Sequence, residues 1–120
     1  MPAIRKIESW PVSFALPGGA GSDAVHTDPE YGYAVTRITT DGGDIGYGIS
    51  FTLVGGTELV CRAIELLCDP LLGYDVELLR SRFGQVQRQI AEHPRIRWLG
   101  PHKGVIHLAL RSITNACFDL

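Results

Sequence analysis

The segment from residue 45 to residue 53 alternates between large apolar and small side chains. The large residues are Ile45, Tyr47, Ile49, Phe51 and Leu53, and the small ones are Gly46, Gly48, Ser50 and Thr52. A period of two residues is typical of a β-strand. Glycine within a strand is also typical of a place where another backbone approaches closely. We therefore expect a strand with one apolar face and one face open to close packing.

Two further segments are predicted to pair with this strand. Residues 4–14 are extended in character, with Trp10, Val12 and Phe14 on one face, and Pro11 indicates an edge strand or a bulge. Residues 33–40 are rich in β-branched side chains, which favour strands. The run Asp-Gly-Gly-Asp at 41–44 is a hairpin signal.

The second half of the chain has the three- and four-residue spacing of helices. Thr57 is predicted to cap a first helix that Pro70 ends, and Asp75 to cap a second that ends before residues 93–94. A third helix is predicted from Gly104 onward. Strands over about 3–53 and helices over about 57–120 predict an α+β fold: a three-stranded antiparallel meander followed by a helical bundle.

The last predicted helix has no stop signal. Its apolar residues are Ile106, Ala109, Leu110, Ile113, Cys117 and Leu120. Neither glycine nor asparagine closes it, although helices commonly end that way. We therefore expect residues 1–120 to form one domain of a longer protein, whose chemistry lies beyond Leu120.

Composition excludes several classes of partner. The formal net charge is −2, which does not favour nucleic acid. No apolar run approaches the roughly 18 residues that span a bilayer, so no membrane partner is expected. Cys61, Cys68 and Cys117 are odd in number and lie in apolar helical patterns. That usage favours a reducing compartment, and we predict a cytoplasmic location.

The short motifs do not add up to a catalytic centre. Residues 18–21 are rich in glycine but do not open into a helix, as a phosphate-binding loop would. His102 and His107 are five residues apart, and no Cys-x-x-Cys is present, so no metal site is predicted. No nucleophile elbow appears either. We predict no catalytic residue and no metal ligand within this chain.

Segments along the chain together resemble one enzyme family. They are Gly21-Ser-Asp-Ala-Val-His-Thr-Asp-Pro-Glu-Tyr31, residues 49–58, residues 97–109 and residues 115–120. In that order they are similar to the L-fuconate dehydratases of the mandelate racemase/muconate lactonizing group, within the enolase superfamily. The Trp-Leu-Gly-Pro-x-Lys-Gly-Val run at 98–105 is the most specific of them.

The resemblance implies an enolase-type N-terminal capping domain over residues 1–120, with a C-terminal barrel domain absent from this chain. In the full-length family the barrel holds Mg²⁺ and the acid and base groups. The base removes the proton next to a sugar-acid carboxylate, and loss of the β-hydroxyl gives a 2-keto-3-deoxy sugar acid. The resemblance thus implies a lyase when full length and an inactive chain when the domain stands alone.

By position, Gly21, Ser22, Asp23 and Tyr31 match the substrate-contacting loop of the family. Residues 52–56 match a second segment of the lid. The implied partners are the barrel, in cis or as a separate chain, and a sugar acid such as L-fuconate. A homo-oligomer is implied for the full-length protein.

A rival interpretation makes the chain a stand-alone interaction module without catalysis. In that case a separate barrel subunit or another partner would cover the apolar side of residues 106–120.

Overall fold

The structure is a computed structural model that describes residues 2–15, 30–52, 55–92, 98 and 104–120, with only the backbone described at 14, 15 and 30. Three strands are followed by helices, which confirms the predicted α+β class. The strands are β1 (Ile4–Ala15), β2 (Glu30–Thr40) and β3 (Ile45–Thr52). The helices are α1 (Thr57–Cys68), a 3₁₀ turn (Asp69–Leu71), α2 (Val76–Ser81), α3 (Phe83–Ala91) and α4 (Val105–Asp119).

The strands form an antiparallel sheet in the order β1-β2-β3. The predicted hairpin joins β2 to β3: the Thr40 amide donates to the Asp44 carbonyl at 2.9 Å, and Gly43 has φ 91°. β2 begins three residues before the predicted Tyr33, because Glu30 pairs with Ala15 at the end of β1. Pairing with a neighbouring strand, rather than local propensity, sets that boundary.

The two faces of β3 have opposite environments. Its small residues Gly46, Gly48, Ser50 and Thr52 are buried, whereas its large residues are exposed. α4 lies directly on the small face: a Cβ atom on Gly48 would collide with the Ser112 carbonyl oxygen, and one on Gly46 with that of Ala116. Two residues of a strand advance about 6.7 Å, and four residues of a helix advance about 6 Å. Alternate residues of β3, which are the small ones, therefore lie opposite successive turns of α4.

A hydroxyl network lies at the same contact. The Ser112 Oγ is fully buried, 2.7 Å from the Thr36 Oγ1, 3.0 Å from the Ala34 carbonyl oxygen and 3.2 Å from that of Gly48. Ser112 has one hydroxyl proton, which it donates to the carbonyls, so the Thr36 hydroxyl donates to Ser112. The network joins α4 to both β2 and β3.

The core lies between the inner face of the sheet and the helices α1 and α4. Its buried members include Ile38 on β2, Ile64 on α1 and Ile113 on α4. The three cysteines are buried and unbridged in the same cluster. Burial raises the pKa of the Cys117 thiol to about 12 and raises that of Cys68 as well. These thiols therefore act as small apolar groups at neutral pH.

The structure confirms one local prediction about the helices and corrects two others. The Asp75 cap is confirmed, since its carboxylate accepts from the Leu78 amide at 3.0 Å. The helix that follows is divided, because Arg82 leaves helical geometry (φ −119°, ψ 24°) and separates α2 from α3. Thr57 is not a cap: Gly56 holds that position with φ 89°, and Thr57 is the first helical residue.

The apolar stripe of α4 is covered mainly by the chain itself. Ala109, Leu110, Ile113 and Cys117 are buried, and Ile106 and Leu120 pack partly against the core. The expectation that a partner covers residues 106–120 is therefore wrong for most of the stripe. Within the described ranges, no helix combines the length and apolarity required to cross a membrane.

Replacing Gly48 with alanine is expected to destabilise the fold strongly. The new Cβ has to displace the α4 backbone, and overpacking of this kind costs about 3 kcal/mol. Gly84→Ala is the matched control, because nothing lies within 4 Å of its Cβ position on α3 and alanine favours helix by about 1 kcal/mol. Urea unfolding monitored by circular dichroism compares the two; equal midpoints would contradict the close contact.

A double-mutant cycle tests the hydroxyl network. Ser112→Ala leaves the buried Thr36 hydroxyl without its acceptor, at an expected cost of about 1–3 kcal/mol in unfolding free energy. Adding Thr36→Val removes that hydroxyl, so the double variant should lose less than the sum of the single losses. Strict additivity in urea unfolding would show that the two side chains do not interact.

Candidate functional site

The two predicted lid segments both adjoin the same end of the sheet. Ala15 and Glu30 form the last rung between β1 and β2, so residues 16–29 connect neighbouring strand ends. Gly32 pairs with Thr52, so β3 ends beside the start of β2. Segment 16–29 and the segment after Thr52 therefore leave from the same end of the sheet, which we term the lid end: Tyr31, Phe51, Thr52, Gly55, Gly56 and Thr57.

Of the four predicted substrate-binding residues, Tyr31 alone falls within the described ranges. Its half-buried ring meets Phe51 edge to face, with ring centroids 5.0 Å apart and planes at 83°. Phe51 also contacts Tyr33, at 5.9 Å between centroids. Gly21, Ser22 and Asp23 lie outside the described residues. The structure thus brings Tyr31 to the end of β3, close to the second predicted lid segment.

A buried hydroxyl pair fixes the corner between β3 and α1. The Thr52 and Thr57 Oγ1 atoms are 2.7 Å apart. The Gly56 carbonyl accepts from the amides of Leu59 and Val60 at 2.9 and 3.3 Å, which starts the first turn of α1. Helix and strand are therefore tied on either side of the short connection between them, and residues 55–56 are held at the lid end.

An open groove of about 410 Å³ runs along this corner, and a second of about 530 Å³ adjoins it. The first is lined by Phe51, Thr52, Gly55, Gly56, Leu59, Val60, Val105 and Leu108. The second is lined by Ser50, Phe51, His107, Leu108 and Arg111. Because Phe51 and Leu108 border both, the two form one continuous depression with a mainly apolar and hydroxylic lining. Arg111 and His107 add a guanidinium group and an imidazole ring at one side.

Sequence reasoning missed the contribution of α4 to this depression. Val105, Leu108 and Arg111 lie more than 50 residues from Phe51 in the chain, and no local pattern reports such a contact. One signal was available: the specific motif at 98–105 leads directly into α4.

The depression at the lid end can hold a small ligand. Within the described ranges, no three His, Cys, Asp or Glu side chains cluster closely enough to hold a metal ion. At a concave surface, hydroxyl groups and aromatic rings orient a ligand and enclose it.

Comparisons with known proteins place the chain among larger relatives. No protein-family profile matches it. It is 45% identical over 105 residues to mitochondrial enolase superfamily member 1 of Bos taurus, covering 86% of this chain and 24% of that protein. It is 39% identical over 100 residues to L-galactonate dehydratase of Hypocrea jecorina, covering 83% and 22%. The chain thus spans about a quarter of the length of these curated relatives.

Solved structures show the same fold. The crystal structure of human mitochondrial enolase superfamily member 1 aligns with a TM-score of 0.90 and 40% identity, over 99% of this chain and 28% of that one. L-talarate dehydratase from Polaromonas, solved with Mg and L-glucarate, aligns with a TM-score of 0.79 over all of this chain and 32% of that one. At 20% identity the second likeness concerns the fold alone.

Replacing Thr52 with valine is expected to loosen the corner between β3 and α1. The change keeps the side-chain shape and removes one partner of a buried hydrogen bond, at a cost of about 1–2 kcal/mol. Hydrogen exchange at the amides of residues 57–60 should accelerate more than at α3. Thr39→Val on the outer face of β2 is the control. Equal effects of the two variants on exchange would show that the Thr52–Thr57 hydrogen bond does not stabilise the start of α1.

Proposed function

We propose that this chain belongs to the enolase superfamily and is the N-terminal capping domain of a sugar-acid dehydratase. L-fuconate is the first substrate to consider, and L-galactonate is the second because of the Hypocrea jecorina relative. The observation that carries the proposal is the lid end. There the rings of Tyr31 and Phe51 are in contact, with centroids 5.0 Å apart. Tyr31 borders the first lid segment and Phe51 borders the second.

In this proposal the reaction belongs to a part of the protein that this chain does not contain. The relatives are about four times as long as the segment they share with this chain, which leaves room for a separate catalytic domain. That domain would supply the proton-abstracting groups and, in the full-length protein, the site for Mg²⁺. The capping domain alone would then be inactive.

The role proposed for this chain is to select and enclose the substrate. Tyr31 offers a ring face and a hydroxyl group from a strand that is fixed by its neighbours. Asp23 would accept hydrogen bonds from sugar hydroxyls, and Gly21 and Ser22 would allow close backbone approach. Closure over a sugar acid excludes water and strengthens the polar contacts inside.

A domain exchange tests this function. The matching segment of Hypocrea jecorina L-galactonate dehydratase is replaced by this chain, and turnover of L-galactonate and L-fuconate is measured with Mg²⁺. We expect an active hybrid in which Asp23→Ala lowers kcat/KM about 10- to 100-fold, since a hydrogen bond to a charged group contributes about 1.5–3 kcal/mol. Tyr31→Phe should cost less, because it keeps the ring against Phe51.

Arg62→Gln on the exposed side of α1 is the matched control and should leave kcat/KM unchanged. The proposal fails if the 120-residue chain alone dehydrates either acid. It also fails if the hybrid is active but indifferent to Asp23→Ala and Tyr31→Phe together.

A further inference from the structure

A cation without a counter-ion borders the depression of about 530 Å³ between β3 and α4, which we term the β3–α4 groove: Ser50, Phe51, His107, Leu108 and Arg111. Arg111 is exposed on α4, and within the described ranges its guanidinium makes no hydrogen bond and no ion pair. By contrast, the Arg37 guanidinium lies 2.7 Å from the Glu8 carboxylate.

No carboxylate lies among the described residues that line the β3–α4 groove. Asp119 is the acidic residue of α4, and eight helical residues place it about 12 Å from Arg111 along the helix axis. Its carboxylate already accepts from the Tyr47 amide at 2.8 Å. The positive charge of Arg111 is therefore left open to an anion from outside the described part of the chain.

The Ser50 hydroxyl at the same groove is buried without a hydrogen-bond partner. Its side chain is 1% exposed, and its Oγ atom has no partner among the described residues. The neighbouring buried hydroxyls of Thr36 and Thr52 are each bonded to a second hydroxyl at 2.7 Å. An unbonded buried hydroxyl destabilises the fold, and a ligand oxygen in the groove would supply the missing acceptor.

The packing of β3 on α4 brings these two groups to one place. Gly48 lies against the Ser112 carbonyl, and two strand residues advance about as far as four helical residues. The next small residue of the strand, Ser50, therefore lies opposite Leu108, three residues before Arg111. A hydroxyl and a guanidinium thus border the same groove although they are far apart in the chain.

We propose that the β3–α4 groove binds a small oxyanion, a carboxylate or a phosphate group, between the Arg111 guanidinium and the Ser50 hydroxyl. The planar guanidinium presents paired N–H donors that match two oxygens of either group. The serine hydroxyl donates its one proton to an oxygen of the same anion.

The anionic group has two possible sources. One is the second acid group of a sugar diacid, an assignment that rests on the proposed function and deepens it. The β3–α4 groove meets the groove at the lid end at Phe51 and Leu108. Arg111 lies six helical residues, about 9 Å, from Val105 in that second groove. The carbon chain of a six-carbon diacid spans roughly 6–7 Å, and the arginine side chain covers the remainder. The other source is free phosphate.

Titration of the 120-residue protein with glucarate, a six-carbon sugar diacid, or with inorganic phosphate tests the site. ¹H–¹⁵N NMR spectra are recorded at a constant ionic strength of about 150 mM. We expect saturable shifts at the amides of Ser50, Leu108 and Arg111 and at the Arg111 Nε, with dissociation constants of about 1–10 mM. Arg111→Gln should raise these constants about tenfold or more, because it removes charge-assisted hydrogen bonds.

Ser50→Ala separates a ligand contact from a structural role. It should raise the dissociation constants about threefold or more without lowering the urea midpoint, since the hydroxyl is unbonded in the free protein. Arg5→Gln is the matched control for charge: Arg5 is exposed on β1, at the sheet edge opposite β3, and its loss should leave the constants unchanged.

The two anions distinguish the sources. Tighter binding of glucarate, with shifts that extend to Gly55 and Gly56, assigns the site to the second acid group of a substrate. Phosphate binding of equal or greater strength, with shifts confined to the groove, assigns it to free phosphate.

The proposal is overturned if neither anion gives saturable shifts up to about 50 mM. Dissociation constants that are unchanged in Arg111→Gln also overturn it. The titration requires neither turnover nor a catalytic domain, so its outcome is independent of the domain exchange that tests the proposed function.

Discussion

The close contact between the backbones of β3 and α4 determines the rest of the architecture. It exists because Gly46 and Gly48 have no side chains, and because Ser112 supplies a hydroxyl where the helix meets the sheet. Two more bonds hold α4 in register: Tyr47 donates its amide proton to Asp119 at 2.8 Å, and Asn115 donates to the Ile49 carbonyl at 3.3 Å. A helix held at this distance and register cannot slide along the strand without a steric clash.

Two surfaces follow from that contact. Because the small face of β3 packs on the helix, the large residues of β3 point outward and are exposed, namely Ile45, Tyr47, Ile49 and Phe51. Because α4 is fixed along β3, its first turns reach the end of the strand, where Val105 and Leu108 complete the groove at the lid end. The exposed apolar face of β3 and the groove at the lid end thus both follow from one packing arrangement.

Much of the fold could be predicted from local patterns. The alternation in β3, the Asp-Gly-Gly-Asp turn and the Asp75 cap all have short-range causes, and each is present in the structure. The alternation and the glycines of β3 indicate a small face open to close packing, but not that α4, more than 50 residues further along the chain, is the element that packs there. The early start of β2 and the break at Arg82 also depend on contacts and backbone geometry that a periodicity does not report. At the site, Tyr31 was predicted from family likeness, whereas the part played by Leu108 and Arg111 follows from the fold alone.

The most direct measurement is a crystal structure of the hybrid dehydratase with a sugar acid bound. The account predicts that the lid end faces the ligand, with Tyr31 and residues 52–56 nearest to it. A structure in which the lid end is exposed to solvent and far from the bound sugar acid would contradict it.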